Sequence, residues 1–519
     1  MRPEIAQGAT LETSLNASNM TSVVQGLEAA VRAAPGAHAL ATRDTTWTYR
    51  ELASAIDAAQ RALCSRSARR GSRIALLMSN SPQYVALYYG IMAAGRVAVP
   101  LNTQERRRLL TQQIKHCGAS LLCGDPAHPE WAGVSVDAAE YGVDVMQVPR
   151  LTGPDAAAMF IDSLRASARG EPYAQIGPDE PAAIFFTSGT TGRPKGVVLS
   201  HRNLASNAAA IAAYLDLSGS DRGFCVLPTH SSYGNSVLNS HLVRGARLAF
   251  EDSLAFPQVI LQRMQDEAIT GFAGVPSTFN VLKAQTRLGN FDLRALRYIT
   301  QAGGAMPRAL ITWLREELPA ARLYLMYGQT EATARLTYLP PERLSEKPGS
   351  VGIPLDGVEI DVLRAGRKAV PMEVGEIRVR GPNVMLGYWQ DAEATAQVLR
   401  DGWLYTGDLG HHDSEGYLYI DGRVSDLIKT GAYRVSPDEI EELIATLAGV
   451  REVGVTAVAD AVLGHAIKAV IVADGTLDAK RVQAHCRAHL AGYKVPKVIE
   501  FASVLPRTAS GKLQRSKLT

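Results

Sequence analysis

The stretch Thr187-Ser-Gly-Thr-Thr-Gly-Arg-Pro-Lys-Gly196 stands between two short apolar runs, residues 182–186 and 197–199. Both runs are rich in strand formers, so the segment is predicted to form two strands joined by a tight loop. The glycines of the loop permit left-handed or close-approach backbone conformations. Amide and hydroxyl donors together with a lysine ammonium suit the oxygens of a polyphosphate. The residues assigned to this phosphate loop are Thr187, Ser188, Gly189, Thr190, Thr191, Gly192 and Lys195.

The loop is not a Walker A motif, because an apolar strand follows it where that motif has Gly-Lys-Ser/Thr opening a helix. A solvent-exposed hairpin turn is the alternative interpretation of a generic loop of this composition. The decapeptide, however, resembles the phosphate loop of the adenylate-forming superfamily, which contains the AMP-forming acyl- and aryl-CoA synthetases, adenylation domains and luciferases. The resemblance continues through Ser200-His-Arg-Asn-Leu204, where that family begins a helix.

Composition narrows the class of protein. A chain of 519 residues is too long for one compact core, so two or more domains are expected. A net charge of only +3 gives no reason to expect nucleic acid or an anionic membrane as a partner. Five scattered cysteines without a Cys-x-x-Cys pair argue against a disulfide framework or a zinc site. With no apolar signal segment and no run long enough to span a bilayer, a cytoplasmic enzyme is expected.

The order of the predicted elements indicates an α/β protein with several domains. Strands and helices alternate before and after the phosphate loop, which favours parallel pairing, whereas residues 130–178 are predicted to be largely irregular. From residue 351 short strands with Gly/Pro turns suggest a small β-rich subdomain. Ser436-Pro-Asp-Glu439 predicts a capped helix start within a compact α+β unit at the C-terminus. We expect a domain boundary near residues 421–425.

Three further motifs carry candidate ligand-binding residues, and the first two follow predicted strands, where open α/β sheets bind ligands. They are Gly303-Gly-Ala305, Tyr327-Gly-Gln-Thr-Glu331, and Asp408 in Trp403-Leu-Tyr-Thr-Gly-Asp408. Each alone is compatible with an ordinary turn. The last two resemble the family's second and third motifs. By that resemblance Gly304, Ala305 and Tyr327 flank the adenine, Thr330 contacts the α-phosphate, Glu331 helps to hold Mg²⁺, and Asp408 with Arg423 binds the ribose. Gly328 and Gln329 are also expected to contact ATP or AMP.

Lys512, in the segment Leu505-Pro-Arg-Thr-Ala-Ser-Gly-Lys512-Leu, matches the family's catalytic lysine. Carboxylate attack on a phosphorus joins two anions, so a cation at that place stabilises the transition state selectively. By the resemblance, Lys512, Thr330 and Glu331 form the catalytic set. The resembling blocks span residues 185–515 in the family's order.

The resemblance implies a large N-terminal domain of α/β layers with a β-rich subdomain, residues 1–422, and a small mobile C-terminal domain, residues 423–519. In the family the small domain rotates after adenylation, which removes the lysine and closes the site for thioester formation. The hinge falls near Ser425, where the family has Asp or Lys. Lys429, Gly431 and Ala432 are expected to line the pantetheine channel. Ala432 stands where the family usually has Gly, so its methyl group is expected to hinder thioester formation.

The acid to be activated is expected to carry no ammonium group. Amino-acid-activating members place an Asp in the segment that matches residues 228–234, and this segment has neither Asp nor Glu. The charge of an amino acid would therefore be buried without compensation. A fatty or aromatic carboxylic acid is expected instead, in a neutral acyl pocket lined by Tyr233, Asn235, Val237 and Gly303.

These features predict an AMP-forming acyl-CoA synthetase that uses ATP, Mg²⁺ and CoA, active as a monomer or a homodimer. One alternative is a stand-alone ligase that loads the phosphopantetheine of an acyl carrier protein. A luciferase-like oxygenase is a more distant alternative, and a non-catalytic nucleotide-binding relative belongs to another class. Lys195, Glu331, Asp408 and Lys512 argue against that last alternative.

Overall fold

A computed structural model describes residues 20–66, 69–165, 176–187, 194–423, 428–430, 433–435, 437–460, 464–475, 477–490, 492–507 and 513–518. These residues form two units. The first comprises the described residues up to Ser253 with the short segments Ile269–Gly271 and Ala332–Ala334, and the second comprises the remainder. Within the described residues, no helix combines the length and apolar character needed to cross a bilayer.

The first unit alternates strands with helices, as the sequence predicts. Its helices are Val23–Ala33 (α1), Tyr49–Arg66 (α2), Pro82–Ala93 (α3), Arg107–Cys117 (α4), Trp131–Glu140 (α5), Ala156–Arg165 (α6), His201–Tyr214 (α7) and Ser232–Leu242 (α8). Its strands are His38–Ala41 (β1), Thr46–Thr48 (β2), Arg73–Leu77 (β3), Val97–Pro100 (β4), Ala119–Gly124 (β5), Asp144–Gln147 (β6), Pro181–Thr187 (β7), Lys195–Ser200 (β8), Arg222–Cys225 (β9) and Arg247–Phe250 (β10).

Two strand layers organise this unit. One has the order β8-β7-β4-β3-β5-β6, in which all neighbours are parallel except β7 and β8. The other runs β9-β10-β1-β2, parallel except for the β1–β2 pair. The predictions of parallel pairing and of a hairpin around the phosphate loop are therefore confirmed, since β7 and β8 pair antiparallel from Pro181–Ser200 to Thr187–Lys195.

Helix α3 is buried on every side. Ser81 caps its N-terminus by accepting from the Tyr84 amide, and Pro82 occupies the first turn, as such starts favour. Tyr84, Tyr88 and Tyr89 are all fully buried, so they belong to the core of this unit. Their phenols are hydrogen-bonded within this unit, as burial of a hydroxyl requires.

The prediction that residues 130–178 are largely irregular is wrong for its first part. Helices α5 and α6 and strand β6 lie within residues 131–165. The buried face of α5 consists of Trp131, Val134 and Ala138, at helical spacing, and an alanine contributes little to an apolar pattern. Residues 166–175 lie outside the described part of the chain.

His201, the first residue of α7, is expected to make the stability of the protein depend on pH. It is 1% exposed, and neither ring nitrogen has a hydrogen-bond partner among the described residues. Burial lowers its pKa from 6.5 to about 4, against the opposing charge of Glu180. The unfolded chain thus binds a proton that the native state excludes. The free energy of unfolding should therefore fall by at most about 3 kcal/mol as pH drops from about 6.5 to about 4.

Urea unfolding of wild type and His201→Gln at several pH values in this window tests the prediction. The variant should lose less stability on acidification, because glutamine does not titrate. His38→Gln, which changes an exposed histidine, should leave the wild-type pH dependence in place. Identical acid destabilisation of wild type and His201→Gln would assign the effect to other groups.

The second unit contains the β-rich subdomain and the C-terminal α+β domain. Its helices are Pro257–Asp266 (α9), Pro276–Gln285 (α10), Arg308–Glu317 (α11), Ala392–Val398 (α12), Pro437–Ala445 (α13) and Ala479–His489 (α14). Its strands are Gly271–Gly274 (β11), Tyr298–Gln301 (β12), Arg322–Tyr327 (β13), Thr337–Leu339 (β14), Ser350–Pro354 (β15), Glu359–Arg364 (β16), Arg367–Lys368 (β17), Gly375–Arg380 (β18), Gly387–Tyr388 (β19), Leu399–Arg400 (β20), Trp403–His412 (β21), Leu418–Arg423 (β22), Ile428–Thr430 (β23), Tyr433–Val435 (β24), Val450–Asp460 (β25), Gly464–Ala473 (β26) and Val498–Phe501 (β27).

The sheet of this unit passes from parallel to antiparallel pairing. Its strands run in the order β11-β12-β13-β14-β15-β22-β21-β18-β16-β17. Strands β12 and β13 are parallel, whereas pairing is antiparallel from β13 to β17. The antiparallel part begins near residue 337 and contains the predicted β-rich subdomain.

The C-terminal domain has a hydrophobic core of its own. Strands β25, β26 and β27 form a three-stranded sheet, and apolar residues of α13 and α14 pack with it. The architecture is therefore α/β, with a large N-terminal and a small C-terminal domain, as predicted. Ser436 and residues 424–427 lie outside the described residues. The capping residue, the hinge at Ser425 and the boundary near 421–425 thus stay predictions.

Candidate active site

Two of the predicted motifs leave the sheet of the second unit at the same edge. Strands β12 and β13 are parallel with Gln301 opposite Leu325 in register. The chain after β12 contains Gly303 and Gly304, and the chain after β13 contains the 327–331 motif. Because the carboxyl ends of parallel strands form one edge, these segments are neighbours at the kind of edge where α/β sheets bind ligands.

The glycine turn after β12 is held by a side chain that sequence reasoning missed. Gln301 is 2% exposed, and its Nε2 donates to the carbonyls of Ala302 at 3.1 Å and Gly304 at 2.8 Å. Gly303 has φ +85°, and a Cβ there would meet Val275 Cγ1 at 3.2 Å. Gly303, Gly304 and Ala305 are exposed. The turn is thus a fixed backbone surface with little side-chain bulk, as a flat ring requires.

Asp408 lies on β21 and is 4% exposed. Its Oδ2 accepts from the Tyr327 hydroxyl at 2.6 Å, and its Oδ1 lies 2.9 Å from Arg423 Nε. The pairing of β21 with β22 puts Asp408 opposite Arg423, so the sheet itself sets this contact. A carboxylate offers about four acceptor positions, so both oxygens retain capacity for a ligand hydroxyl. The structure thus brings together three of the predicted nucleotide residues.

Tyr327 is the donor in its contact with Asp408. Burial, followed by the charge of Asp408, raises the pKa of the phenol well above its usual range. The phenol therefore stays protonated, and its hydroxyl fixes the position of the carboxylate. Beside it on the chain, Gln329 has a buried side-chain nitrogen without a hydrogen-bond partner among the described residues.

Glu331 lies in a short 3₁₀ turn, Thr330–Ala332. Its Oε1 accepts from the Tyr388 hydroxyl at 2.9 Å, and its backbone carbonyl accepts from the Met385 amide at 2.9 Å. Within the described chain, Oε2 has no hydrogen-bond or ion-pair partner. Tyr388 was not predicted from the sequence, because its contact joins positions 57 residues apart.

The surroundings of Glu331 fit a hard divalent cation bound mainly by a substrate. The described residues contain no group of three or more His, Cys, Asp or Glu side chains that could hold a metal ion. One carboxylate oxygen with an open position is what Mg²⁺ uses when phosphate oxygens and waters complete its coordination. Glu331 is the residue that would hold such an ion.

The described flanks of the phosphate loop belong to the first unit. Thr187 and Lys195 are opposite each other as the last pair of the β7–β8 ladder. Their pairing brings the two ends of the loop together, as the sequence predicts. Residues 188–193 lie outside the described part of the chain. The assignments of Ser188, Gly189, Thr190, Thr191 and Gly192 therefore stay predictions.

Helix α8 carries the predicted acyl-pocket residues of the first unit. Tyr233 is half-buried, and Val237 and Asn235 are each 2% exposed. The Asn235 Oδ1 accepts from the Tyr88 hydroxyl at 3.2 Å and from Asn239 Nδ2 at 2.8 Å. Asn235 is thus part of a polar network between α3 and α8, a structural role the sequence did not reveal. The fourth predicted residue, Gly303, belongs to the second unit.

The segment before α8 carries no charge near neutral pH. Desolvation lowers the pKa of His230 from 6.5 to about 4, so its ring is neutral. Ser231 caps the helix by accepting from the Gly234 amide at 3.2 Å.

The remaining predicted residues lie in the C-terminal domain. Lys512, Gly431 and Ala432 are outside the described residues. For Lys429 the structure gives the backbone, which pairs with Arg434 between β23 and β24. The catalytic role of Lys512 and the channel role of the other three stay predictions.

The chain is similar to known proteins over most of its length. Residues 27–389 match the model of the AMP-binding enzyme family, and residues 439–512 match the model of the AMP-binding enzyme C-terminal domain. The chain is 33% identical over 494 residues to a feruloyl-CoA synthase of an Amycolatopsis species, covering 94% of this chain and 96% of that protein. It is also 33% identical to a 2-succinylbenzoate–CoA ligase of Bacillus pumilus, covering 92% of this chain and 94% of that protein.

Solved structures show the same likeness. The o-succinylbenzoate coenzyme A synthetase of Bacillus subtilis, in complex with ATP and magnesium ion, superposes with a TM-score of 0.83. It is 30% identical in sequence, and the match covers 95% of this chain and 98% of that chain. The family models together cover most of the sequence, including both domains. The chain belongs to the AMP-binding enzyme family.

Proposed function

We propose that the protein joins a carboxylic acid to coenzyme A through an acyl-adenylate, with an aromatic or fatty acid as substrate. In the first half-reaction a carboxylate oxygen attacks the α-phosphorus of ATP, and pyrophosphate leaves with the electron pair of the broken P–O bond. In the second, the sulfur of CoA attacks the acyl carbonyl carbon. The acyl–AMP bond then breaks, AMP leaves with its electron pair, and the thiol proton passes to solvent.

The observation that carries the proposal is the buried Asp408 carboxylate with its two fixed contacts. Burying a carboxylate is costly unless hydrogen bonds and a countercharge compensate it. Tyr327 and Arg423 supply both and leave acceptor positions open. A pair of ribose hydroxyls is a ligand that uses those positions. The glycine turn after β12 and Glu331 after β13 supply an adenine surface and a cation ligand in the same unit.

Negative charge develops at the phosphates during the first half-reaction, and for this reason we expect cations around them. As the carboxylate approaches, negative charge gathers on the phosphoryl oxygens. Lys512 would offset that charge at the α-phosphate, and Lys195 would bind the phosphates that leave. A magnesium ion held at Glu331 would neutralise part of the triphosphate charge when bound. Thr330 would orient the α-phosphate through its hydroxyl.

An aromatic acid has the better support. The segment 228–234 has no carboxylate, and His230 is neutral, so this segment offers no negative charge to balance a charged α-amino group. Half-buried Tyr233 could pack against a ring in an offset or edge-to-face arrangement. Both of the curated relatives described above are named for acids that contain a benzene ring. A stand-alone ligase loading a carrier protein is the alternative for the second half-reaction.

Pyrophosphate exchange with a panel of acids tests the first half-reaction. We expect exchange with ring-bearing acids, less with straight-chain acids of equal carbon number, and none with α-amino acids. AMP, and no ADP, should accumulate when CoA is added. Production of ADP, or exchange with amino acids alone, would overturn the proposal. Parallel reactions with CoA and with a phosphopantetheinylated carrier protein separate the two acceptors.

Replacing Ala432 by glycine should speed thioester formation by about fivefold. The resemblance puts this residue in the pantetheine channel, where crowding by one methyl group costs about 1 kcal/mol. Thiolation of supplied acyl-AMP and pyrophosphate exchange should be measured on the same preparations. Exchange should not change, and Ala432→Val should shift thiolation in the opposite direction. Equal thiolation rates in all three proteins would show that the methyl group does not limit the channel.

A further inference from the structure

We infer that Tyr388 is a positioning residue for the cation site, acting through the carboxylate of Glu331. The inference rests on the proposed ATP-dependent function, because it concerns how Glu331 holds a cation for the nucleotide. Tyr388 acts on Glu331 and not on the nucleotide itself. Its hydroxyl determines which carboxylate oxygen is free and in which direction that oxygen points.

Two hydrogen bonds from the segment 385–388 hold Glu331 in place. The Tyr388 hydroxyl donates to Oε1 at 2.9 Å, and the Met385 amide donates to the Glu331 carbonyl at 2.9 Å. Neither oxygen of an ionised carboxylate can donate, so the phenol is the donor. Oε2 has no hydrogen-bond or ion-pair partner in the described chain. A carboxylate with one oxygen held and one open is arranged to bind a cation through a single oxygen.

Tyr388 is itself held in place. Its amide donates to Thr395 Oγ1 at 2.9 Å, and the Thr395 hydroxyl donates to the Asp391 carbonyl at 2.7 Å. Asp391 caps α12 by accepting from the Ala394 amide at 2.9 Å. Gly387 has φ +142°, and a Cβ there would meet Thr395 Cγ2 at 2.8 Å, so the turn before Tyr388 packs closely on this helix. The phenol therefore projects from an ordered support toward Glu331.

A purely structural hydrogen bond is the competing explanation, and it predicts a different result. A structural bond, when lost, lowers the melting temperature without changing how a divalent cation affects ATP binding. A bond that orients a metal ligand changes that effect. Loss of such an orienting contact typically weakens metal binding about 10- to 100-fold.

The test measures ATP binding to the full-length protein by calorimetry, with Mg²⁺ and then with a chelator. Neither acid nor CoA is present, so the outcome does not depend on whether the proposed acid is activated. In wild type, Mg²⁺ should increase the affinity for ATP. In Tyr388→Phe that gain should shrink about tenfold, while the affinity without cation stays unchanged. Glu331→Gln should abolish the gain, and adding Tyr388→Phe to Glu331→Gln should change nothing further.

Two further variants complete the experiment. Tyr49→Phe removes a buried phenol that donates to the Ala246 carbonyl at 2.8 Å, and it should keep the wild-type gain. Thr395→Val loosens the backbone of Tyr388 and should reduce the gain in the same direction, which preserves the test if Tyr388→Phe folds poorly. The inference fails if wild type shows no gain from Mg²⁺, or if Tyr388→Phe keeps the full gain. It also fails if Tyr388→Phe weakens ATP binding equally with and without Mg²⁺, or adds to Glu331→Gln.

Discussion

Replacing Lys512 by alanine is expected to slow acyl-adenylate formation about 10²–10³-fold while leaving the thiolation of supplied acyl-AMP largely intact. In the first half-reaction two anions combine, and the variant lacks the cation that offsets their charge. In the second half-reaction AMP leaves, and the family resemblance implies that the C-terminal domain has by then moved this lysine out of the site. Pyrophosphate exchange measures the first step, and thioester formation from synthetic acyl-AMP measures the second.

The difference between the two steps is the informative quantity. Lys517→Ala is the matched control, because it removes an exposed lysine from the same C-terminal segment and should affect neither step. An unfolded variant would lose both steps together and would also show a lower melting temperature. If a folded Lys512→Ala protein lost both half-reactions equally, the alternation of the C-terminal domain between two conformations would be wrong for this protein.

The parts of the fold that the sequence predicts are those that depend on local pattern. The β7–β8 hairpin follows from two apolar runs separated by a glycine-rich loop, and its ladder closes at Thr187 and Lys195. The parallel arrangement of β3, β4 and β5 follows from alternation of strand and helix. Both signals are contained in short windows of sequence, so neither needs knowledge of distant contacts.

Contacts between distant positions could not be predicted in this way. The Tyr388 hydroxyl meets Glu331 across 57 residues, and no spacing rule links a tyrosine in one turn to a carboxylate in another. Asn235 is predicted to line the acyl pocket, and that role stays a prediction. Its side-chain oxygen accepts from Tyr88 and Asn239, contacts that depend on the packing of α3 on α8. The sequence motifs predict which residues bind the nucleotide. The residues that hold those side chains in place can be identified only from the tertiary structure.

Helices α5 and α6 illustrate a second limit. Both are short, and α5 buries only Trp131, Val134 and Ala138. A short amphipathic helix is marginal in isolation and is stabilised mainly by what it packs on. Alanine and glycine in such a segment leave the apolar period weak. For this reason the sequence of residues 131–165, considered alone, predicts an irregular stretch.

Asp408→Asn is expected to weaken ATP binding about 10- to 100-fold, the cost of losing hydrogen bonds to a charged acceptor. The substitution keeps the size of the side chain and one acceptor oxygen for the Tyr327 hydroxyl. It removes the ionic contact with Arg423, which lies 2.9 Å away, and puts an amide where an acceptor is needed. Calorimetric titration with ATP measures the loss. Asp361→Asn, which disturbs an ion pair with Arg378 on neighbouring strands β16 and β18, should leave ATP affinity unchanged.

Nucleotide analogues decide whether Asp408 acts on the ribose. If its carboxylate accepts from the sugar hydroxyls, wild type should bind 2′-deoxy- and 3′-deoxy-ATP more weakly than ATP, and Asp408→Asn should show little discrimination among the three. A variant that weakened all three nucleotides by the same factor would point to a structural role for the Tyr327–Asp408–Arg423 group. Discrimination between ATP and the deoxy analogues depends on acceptor positions of the Asp408 carboxylate that protein donors leave open. Tyr327 and Arg423 already make one contact with each oxygen of Asp408, so ribose hydroxyls bound by this carboxylate would use its remaining acceptor positions.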